Sequence, residues 1–178
     1  MSRLGGSIYS DSGMPSLIKT EATREAAQLL EVAWAPGVIP VDPVRIARSA
    51  GIVVREATLD EDTLGALIKT PAEDPVIVLN AADPDVRKRF TCAHELGHWI
   101  KRSDDDDEYA SVDLRNDISS TGNDPEEIFA NEFAAALLMP ETEFRAQHIL
   151  GRNATLLGIE FKVSREAAEF RLKNLDLV

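Results

Sequence analysis

Two histidines and a glutamate stand at fixed spacing in the stretch TCAHELGHWI, residues 91–100. Residues four apart on a helix lie on the same side, so His94 and His98 can point at one metal ion. Two imidazoles leave room around a tetrahedral zinc ion for a third protein ligand and a water molecule. The carboxylate of Glu95 could take a proton from that water. The spacing therefore favours a hydrolytic zinc site.

The same three residues also have a purely structural interpretation, as hydrogen-bonded groups of an ordinary core helix. Burying two histidines and a glutamate there costs free energy unless each polar group has a partner. Three fixed positions of these types match by chance in well under about 1% of chains of this size, so the motif is fairly specific. We therefore favour zinc.

The third ligand is expected to be a carboxylate from a second helix, predicted by the stretch DPEEIFANEFAAALLMP. Glu127 lies on a face of this second helix whose middle residues are small enough to let it approach the helix with the histidines. Glu126 is the nearer alternative. Glu132 falls about 140° around the helix from Glu127, so both cannot serve one metal. With Asp124 as N-cap, Glu127 could equally close a capping box. The pattern alone leaves ligand and cap open.

The surrounding elements predict an α+β fold. Three short runs rich in branched residues (IVVREA, TLGALIKT and PVIVLN) predict a small, mostly antiparallel three-stranded sheet. Helices are predicted to start after Asp42, Asp83 and Asp124, each followed by proline. The helix with the histidines is apolar over most of its circumference, which indicates a central place in the core. Residues 103–124 predict a long polar connection.

We expect one domain with an appendage at each end. Residues 1–16 mix Gly, Ser, Asp and Pro without periodicity and predict a flexible arm. Residues 17–150 hold the metal motif and predict the catalytic domain. Residues 151–178 predict a C-terminal pair of short helices, similar to a helix-turn-helix and packed on the same domain. Acidic residues in and around this pair argue against direct DNA binding.

Composition narrows the class of protein further. A net charge of −12 over 178 residues argues against a broad phosphate-binding surface. The single cysteine, Cys92, excludes an internal disulfide, and it lies about 200° around the helix from His94, which predicts a buried, apolar role. The sequence shows neither a signal peptide nor an apolar run long enough for a bilayer, so we expect a cytoplasmic protein without a membrane segment.

The blocks RFTCAHELGHWI and EIFANEFAAALLMP resemble the ImmA/IrrE family of zinc metallopeptidases. The resemblance covers roughly residues 20–145 and implies a zincin-like helical core with the His-Glu-x-x-His helix at the active site. It implies that His94, His98 and Glu127 are ligands of Zn²⁺ and that Glu95 is the general base. It also implies a supporting or substrate-facing role for Asn131.

Family members are typically bacterial or phage-encoded, and the resemblance implies a substrate for this chain. That substrate would be an XRE-type helix-turn-helix repressor or an antitoxin, cleaved as a means of regulating transcription. The substrate would lie along an exposed strand edge, PVIVLN or TLGALIKT. Tyr109, His148 and the segment 111–122 are the open choices for the donor to the oxyanion.

A second class of function stays open from the sequence. The chain could be a zinc-containing regulator or toxin–antitoxin component that acts by binding a partner and cleaves nothing. A structural zinc site has four protein ligands and no use for a general base. The presence of Glu95 therefore favours the enzyme.

Overall fold

The computed structural model describes residues 14–70, 73–102, 109–114 and 124–178. These ranges contain seven helices and four strands and confirm the predicted α+β class. In chain order they are α1 (Met14–Ala33), α2 (Pro43–Ser49), β1 (Val53–Ala57), β2 (Thr63–Thr70), β3 (Glu73–Asn80), α3 (Asp85–Arg102), β4 (Tyr109–Leu114), α4 (Pro125–Leu138), α5 (Glu141–Ile149), α6 (Ala154–Phe161) and α7 (Arg165–Asn174).

The sheet differs from the predicted one in its strand count. Its order is β1-β3-β2-β4, with β2 antiparallel to both neighbours and β1 parallel to β3. The prediction of three strands is therefore wrong, because β4 forms within the segment 103–124, which predicted a polar connection. Strand β3 lies between β1 and β2 and is parallel to β1. The sheet is consequently mixed.

The predicted substrate-binding edge is also wrong. TLGALIKT and PVIVLN form β2 and β3, which are interior strands. Leu67 of β2, for example, stands opposite Ile77 of β3 on one side and Ser111 of β4 on the other. Among the described strands, β1 and β4 are the two edges.

Helix α3 occupies the centre of the fold, as its apolar circumference predicted. Residues 91–98 are all buried, and the helix contacts β2 and β3 on one side and α4 on the other. Cys92 is fully buried, which confirms its predicted apolar role. Burial raises the pKa of its thiol to about 12. Proline restricts the start of the helix, which begins at Asp85, one residue beyond Pro84.

The C-terminal pair forms two short helices, as predicted. Lys162 ends α6 in the left-handed region (φ 51°), and the Ser164 hydroxyl caps α7 by accepting from the backbone N of Ala167 at 3.0 Å. Arg89 of α3 holds this pair in place. Its Nε donates to the carbonyl of Lys162 at 3.1 Å, and its Nη2 donates to that of Val41 at 2.6 Å.

The predicted arm, residues 1–16, lies outside the described residues except for its last three. Those three, Met14 to Ser16, form the first turn of α1. The separation of residues 17–150 from 151–178 stays a prediction. Among the described residues, no helix combines the length and apolar character that crossing a bilayer requires.

Candidate metal centre

Two helices bring three side chains with metal-binding atoms together. His94 and His98 come from α3 and Glu127 from α4, and one ligand atom from each lies within 4.8 Å of the others. The two histidine Nε2 atoms are 3.0 Å apart. The Glu127 carboxylate lies 3.4 Å from Nε2 of His94 and 3.2 Å from Nε2 of His98. All three predicted ligands therefore converge on one point.

The spacing of these atoms fits a tetrahedral zinc ion. Donors at roughly 2.0–2.1 Å from zinc, set at tetrahedral angles, are separated from one another by about 3.4 Å. The two histidine Nε2 atoms are 3.0 Å apart, Oε1 of Glu127 lies 3.2 Å from that of His98, and Oε2 lies 3.4 Å from that of His94. Two imidazoles and a carboxylate form a donor set typical of catalytic zinc, in which the fourth position is open. The residues present therefore suit this metal.

Glu127 faces the histidines rather than its own helix terminus. The N-cap of α4 is Asp124, whose Oδ1 accepts from the backbone N of Glu126 at 2.9 Å. The neighbouring imidazoles of His94 and His98 hold the pKa of the Glu127 carboxyl well below its usual range, although burial acts in the opposite direction. Of the two interpretations that the sequence left open, the geometry favours the ligand.

Close packing of α3 on α4 makes this convergence possible. A Cβ atom built on Gly97 would lie 3.0 Å from Cα of Ala130 and 3.2 Å from Cδ1 of Phe133. Those separations leave no space for a side chain, so a glycine at this position lets the two backbones approach. The glycine of the His-Glu-Leu-Gly-His motif therefore lets the two helices that carry His94, His98 and Glu127 lie close together.

Glu95 is fully buried on α3, next to the sheet. A Cβ atom built on Gly65 of β2 would lie 3.6 Å from Glu95 Oε1 and only 2.6 Å from Cγ2 of Thr91. It would also lie 2.9 Å from the carbonyl oxygen of Val78. Gly65 therefore makes room for Thr91 and lets α3 lie close against β2 beside Glu95, a role that no motif in the sequence indicated.

Arg102 is a further residue that sequence analysis missed. It lies one turn after His98, and its guanidinium pairs with the carboxylate of Glu126. The same guanidinium lies over the ring of Tyr109, 5.0 Å from the centroid. It thereby joins the end of α3, the start of α4 and strand β4. Arg102 follows His98 by four residues, as His98 follows His94, and this spacing was the signal available in the sequence.

The other acidic and histidine candidates have partners outside the cluster. Glu126, the alternative third ligand, is the partner of Arg102. Glu132 forms an ion pair with the buried Arg171 at 3.3 Å. His148 lies on α5, with its Nδ1 3.4 Å from the backbone carbonyl of Arg152. Tyr109 begins the edge strand β4, and its role as donor stays a prediction.

Comparison with known proteins is consistent with this architecture. Residues 47–173 match the sequence model of Peptidase_M78, the IrrE N-terminal-like domain. The chain belongs to this family. The matched range contains the whole of α3 and α4, with His94, Glu95, His98 and Glu127. The predicted membership of a metallopeptidase family is therefore confirmed.

One relative and one solved structure add detail. A 75-residue stretch is 41% identical to the radiation response metalloprotease IrrE of Deinococcus radiodurans, and it makes up 39% of this chain and 20% of that protein. The chain thus corresponds to about a fifth of that relative's length. The fold is similar to that of a Mycobacterium tuberculosis transcriptional regulator, with a TM-score of 0.57 and 21% identity over 89% of this chain and 46% of that one.

These comparisons support a metal ion as the cofactor, as expected for a Peptidase_M78 domain with a His-His-Glu cluster.

Proposed function

We propose that this Peptidase_M78 chain is a zinc-dependent endopeptidase that hydrolyses a peptide bond in a protein substrate. The main support is the convergence of His94, His98 and Glu127, whose ligand atoms lie 3.0–3.4 Å apart in the pairs measured. Three protein ligands leave a coordination position for water and substrate, whereas a structural site is closed by four. The buried carboxylate of Glu95 is a group that a purely structural site would not require.

In the proposed mechanism, His94, His98 and Glu127 would hold a zinc ion, which would supply a Lewis acid for the peptide carbonyl and for water. Glu95 accepts the proton of the attacking water and later delivers it to the leaving amine. Gly65 lets the helix that carries Glu95 lie close against β2. Tyr109 is the donor we propose for the oxyanion, since Arg102 links it to the start of the helix that carries Glu127.

The proposed substrate is a helix-turn-helix repressor of the XRE type or an antitoxin, and its cleavage would regulate transcription. The family resemblance is the main support, and a relative in the same fold is a transcriptional regulator. We propose that an extended segment of the substrate pairs with β4, an edge strand among those described. Such a substrate places the enzyme in the cytoplasm.

The experiment compares the zinc-loaded wild type with zinc-loaded Glu95→Gln, each co-expressed with repressor-like proteins encoded beside its gene. We expect the wild type to generate new N-termini in one partner, detected by mass spectrometry, and Glu95→Gln to generate none while retaining zinc.

Partner binding without proteolysis is the competing function. If Glu95→Gln retains zinc and acts on the partner as fully as the wild type does, the chain is a binding regulator and the proposed mechanism is wrong. Ser49→Ala, a change on α2 away from the cluster, is the control for loss of activity through handling or misfolding.

A further inference from the structure

Asn131 lies one turn after Glu127 on α4 and contacts the metal helix directly. Its side-chain Oδ1 is 3.1 Å from Nδ1 of His94. The other ring nitrogen of His94, Nε2, faces Glu127 and His98. Nδ1 of His94 therefore contacts Asn131, whereas Nε2 contacts Glu127 and His98.

This contact favours one of the two tautomers of a neutral His94. An amide oxygen can only accept a hydrogen bond, so a hydrogen bond here requires the hydrogen on Nδ1 of His94. Its Nε2 then keeps the free electron pair that a metal requires. The opposite tautomer would place an N–H group where the ion binds. The neighbour of Nδ1 thus governs the metal affinity of Nε2.

The surroundings give Asn131 a fixed position from which to do this. His94 is fully buried, so its ring is not rotating freely in water. Ala130, the residue before Asn131, lies against Gly97 of α3, where a Cβ would approach its Cα to 3.0 Å. Because the two backbones are in contact here, the backbone of Asn131 is held close to the helix that carries His94.

We propose that Asn131 is a positioning residue, which fixes the tautomer and ring orientation of His94 and thereby prepares the site for its metal. The inference rests on the proposed function, since it assumes that His94 is a ligand. Asn131 acts through His94 and does not touch the reacting atoms. Groups that orient metal-binding histidines in this way typically contribute 10- to 100-fold, on the order of magnitude, to metal affinity.

The test uses the full chain in four variants. Asn131→Leu keeps the volume and removes the acceptor, and Asn131→Ala removes it without adding apolar bulk. Asn131→Asp keeps an acceptor oxygen in place. Asn174→Leu is the matched control, because Asn174 is an asparagine on α7 whose amide donates to Glu132 rather than to a histidine.

Two properties are measured for each variant. The dissociation constant of Zn²⁺ comes from competition with a chromophoric chelator. The tautomer of His94 comes from ¹⁵N NMR of the metal-free chain, at a pH high enough to keep the ring neutral. The NMR measurement does not depend on whether the chain is a peptidase or binds metal.

We expect Asn131→Leu and Asn131→Ala to bind zinc about 10- to 100-fold more weakly than the wild type. The zinc dissociation constants of Asn131→Asp and Asn174→Leu should stay within about threefold of the wild-type value. Asn131→Asp retains an acceptor oxygen, and Asn174 does not contact His94. The wild type should carry the His94 proton on Nδ1, and Asn131→Leu should lose that preference.

Wild-type zinc affinity in both Asn131→Leu and Asn131→Ala would overturn the proposal, as would a wild-type proton on Nε2 of His94. If the wild type itself binds no zinc, the proposed function fails, and the tautomer still decides whether Asn131 orients this ring.

Discussion

Nη1 of Arg171 on α7 lies 3.3 Å from Oε1 of Glu132 on α4, and both side chains are buried. The same arginine donates through Nε to the carbonyl of Met139, the residue that ends α4, at 3.1 Å. Glu132 also accepts from Nδ2 of Asn174 at 3.0 Å. The C-terminal helix pair is thus bonded to the helix that carries Glu127, about 140° around its axis from that proposed ligand.

Removing this arginine should destabilise the whole chain. In Arg171→Ala, Glu132 becomes a buried charge without its cation, and such losses cost about 3–5 kcal/mol. We expect the free energy of unfolding, measured by urea denaturation, to fall by that amount. Arg165→Ala breaks an exposed pair with Glu169 on the same helix and should cost less than about 1 kcal/mol. Equal small losses in both variants would contradict the prediction.

Arg89 makes the reciprocal connection, from the metal helix to the C-terminal pair. Arg89→Met leaves the carbonyls of Val41, Phe161 and Lys162 without this donor. We expect the free energy of unfolding to fall by about 2–4 kcal/mol, since bonds to a charged donor contribute about 1.5–3 kcal/mol each and do not add fully. Arg87→Met is the control, because Arg87 is an exposed arginine two residues before Arg89. It should change the free energy of unfolding by under about 0.5 kcal/mol.

Gly97→Ala distinguishes helix propensity from packing by the sign of its effect. Propensity alone predicts stabilisation by about 1 kcal/mol. The added Cβ would instead meet the backbone of Ala130, so we expect destabilisation by about 1–3 kcal/mol, measured by thermal or urea unfolding. Pushing α4 away from α3 should also weaken zinc binding at Glu127. A more stable variant with wild-type zinc affinity would contradict the close approach.

Zinc should stabilise the chain through its three proposed ligands. At a free zinc concentration 100 times its dissociation constant, linkage predicts a gain of about 2.7 kcal/mol in the free energy of unfolding, and a chelator should reverse it. His98→Ala should abolish most of the gain. His148→Ala should keep it, because His148 lies on α5 outside the cluster. An equal loss in both variants would show that zinc binds elsewhere.

Much of the site could be predicted from the sequence because its geometry is local. The spacing of His94 and His98 on one helix is sufficient to direct both imidazoles to one side. Glu127 was harder, because the position three residues after Asp124 suits both a capping box and a ligand. Which of the two forms depends on how α4 packs against α3, and the residues that decide this packing, such as Gly97, are far from Glu127 in the chain.

The strand order could not be predicted from local patterns. Alternation and branched residues identify β1, β2 and β3, but nothing within a strand says which neighbour it pairs with. Strand β3 pairs with β1, where Val54 stands opposite Ile77, and also with β2, so it lies between the two. Strand β4 was overlooked because polar residues surround it, although YASVDL alternates as a half-buried strand does.

The measurement closest to the central claim is the zinc affinity of Glu127→Ala beside that of Glu126→Ala. The two glutamates are adjacent on α4, and only Glu127 faces the histidines, whereas Glu126 pairs with Arg102. Glu127→Ala should bind zinc at least about 100-fold more weakly than the wild type, because it loses one of three proposed protein ligands. Glu126→Ala should bind zinc as tightly as the wild type does. Wild-type affinity in Glu127→Ala, or the larger loss in Glu126→Ala, would contradict it.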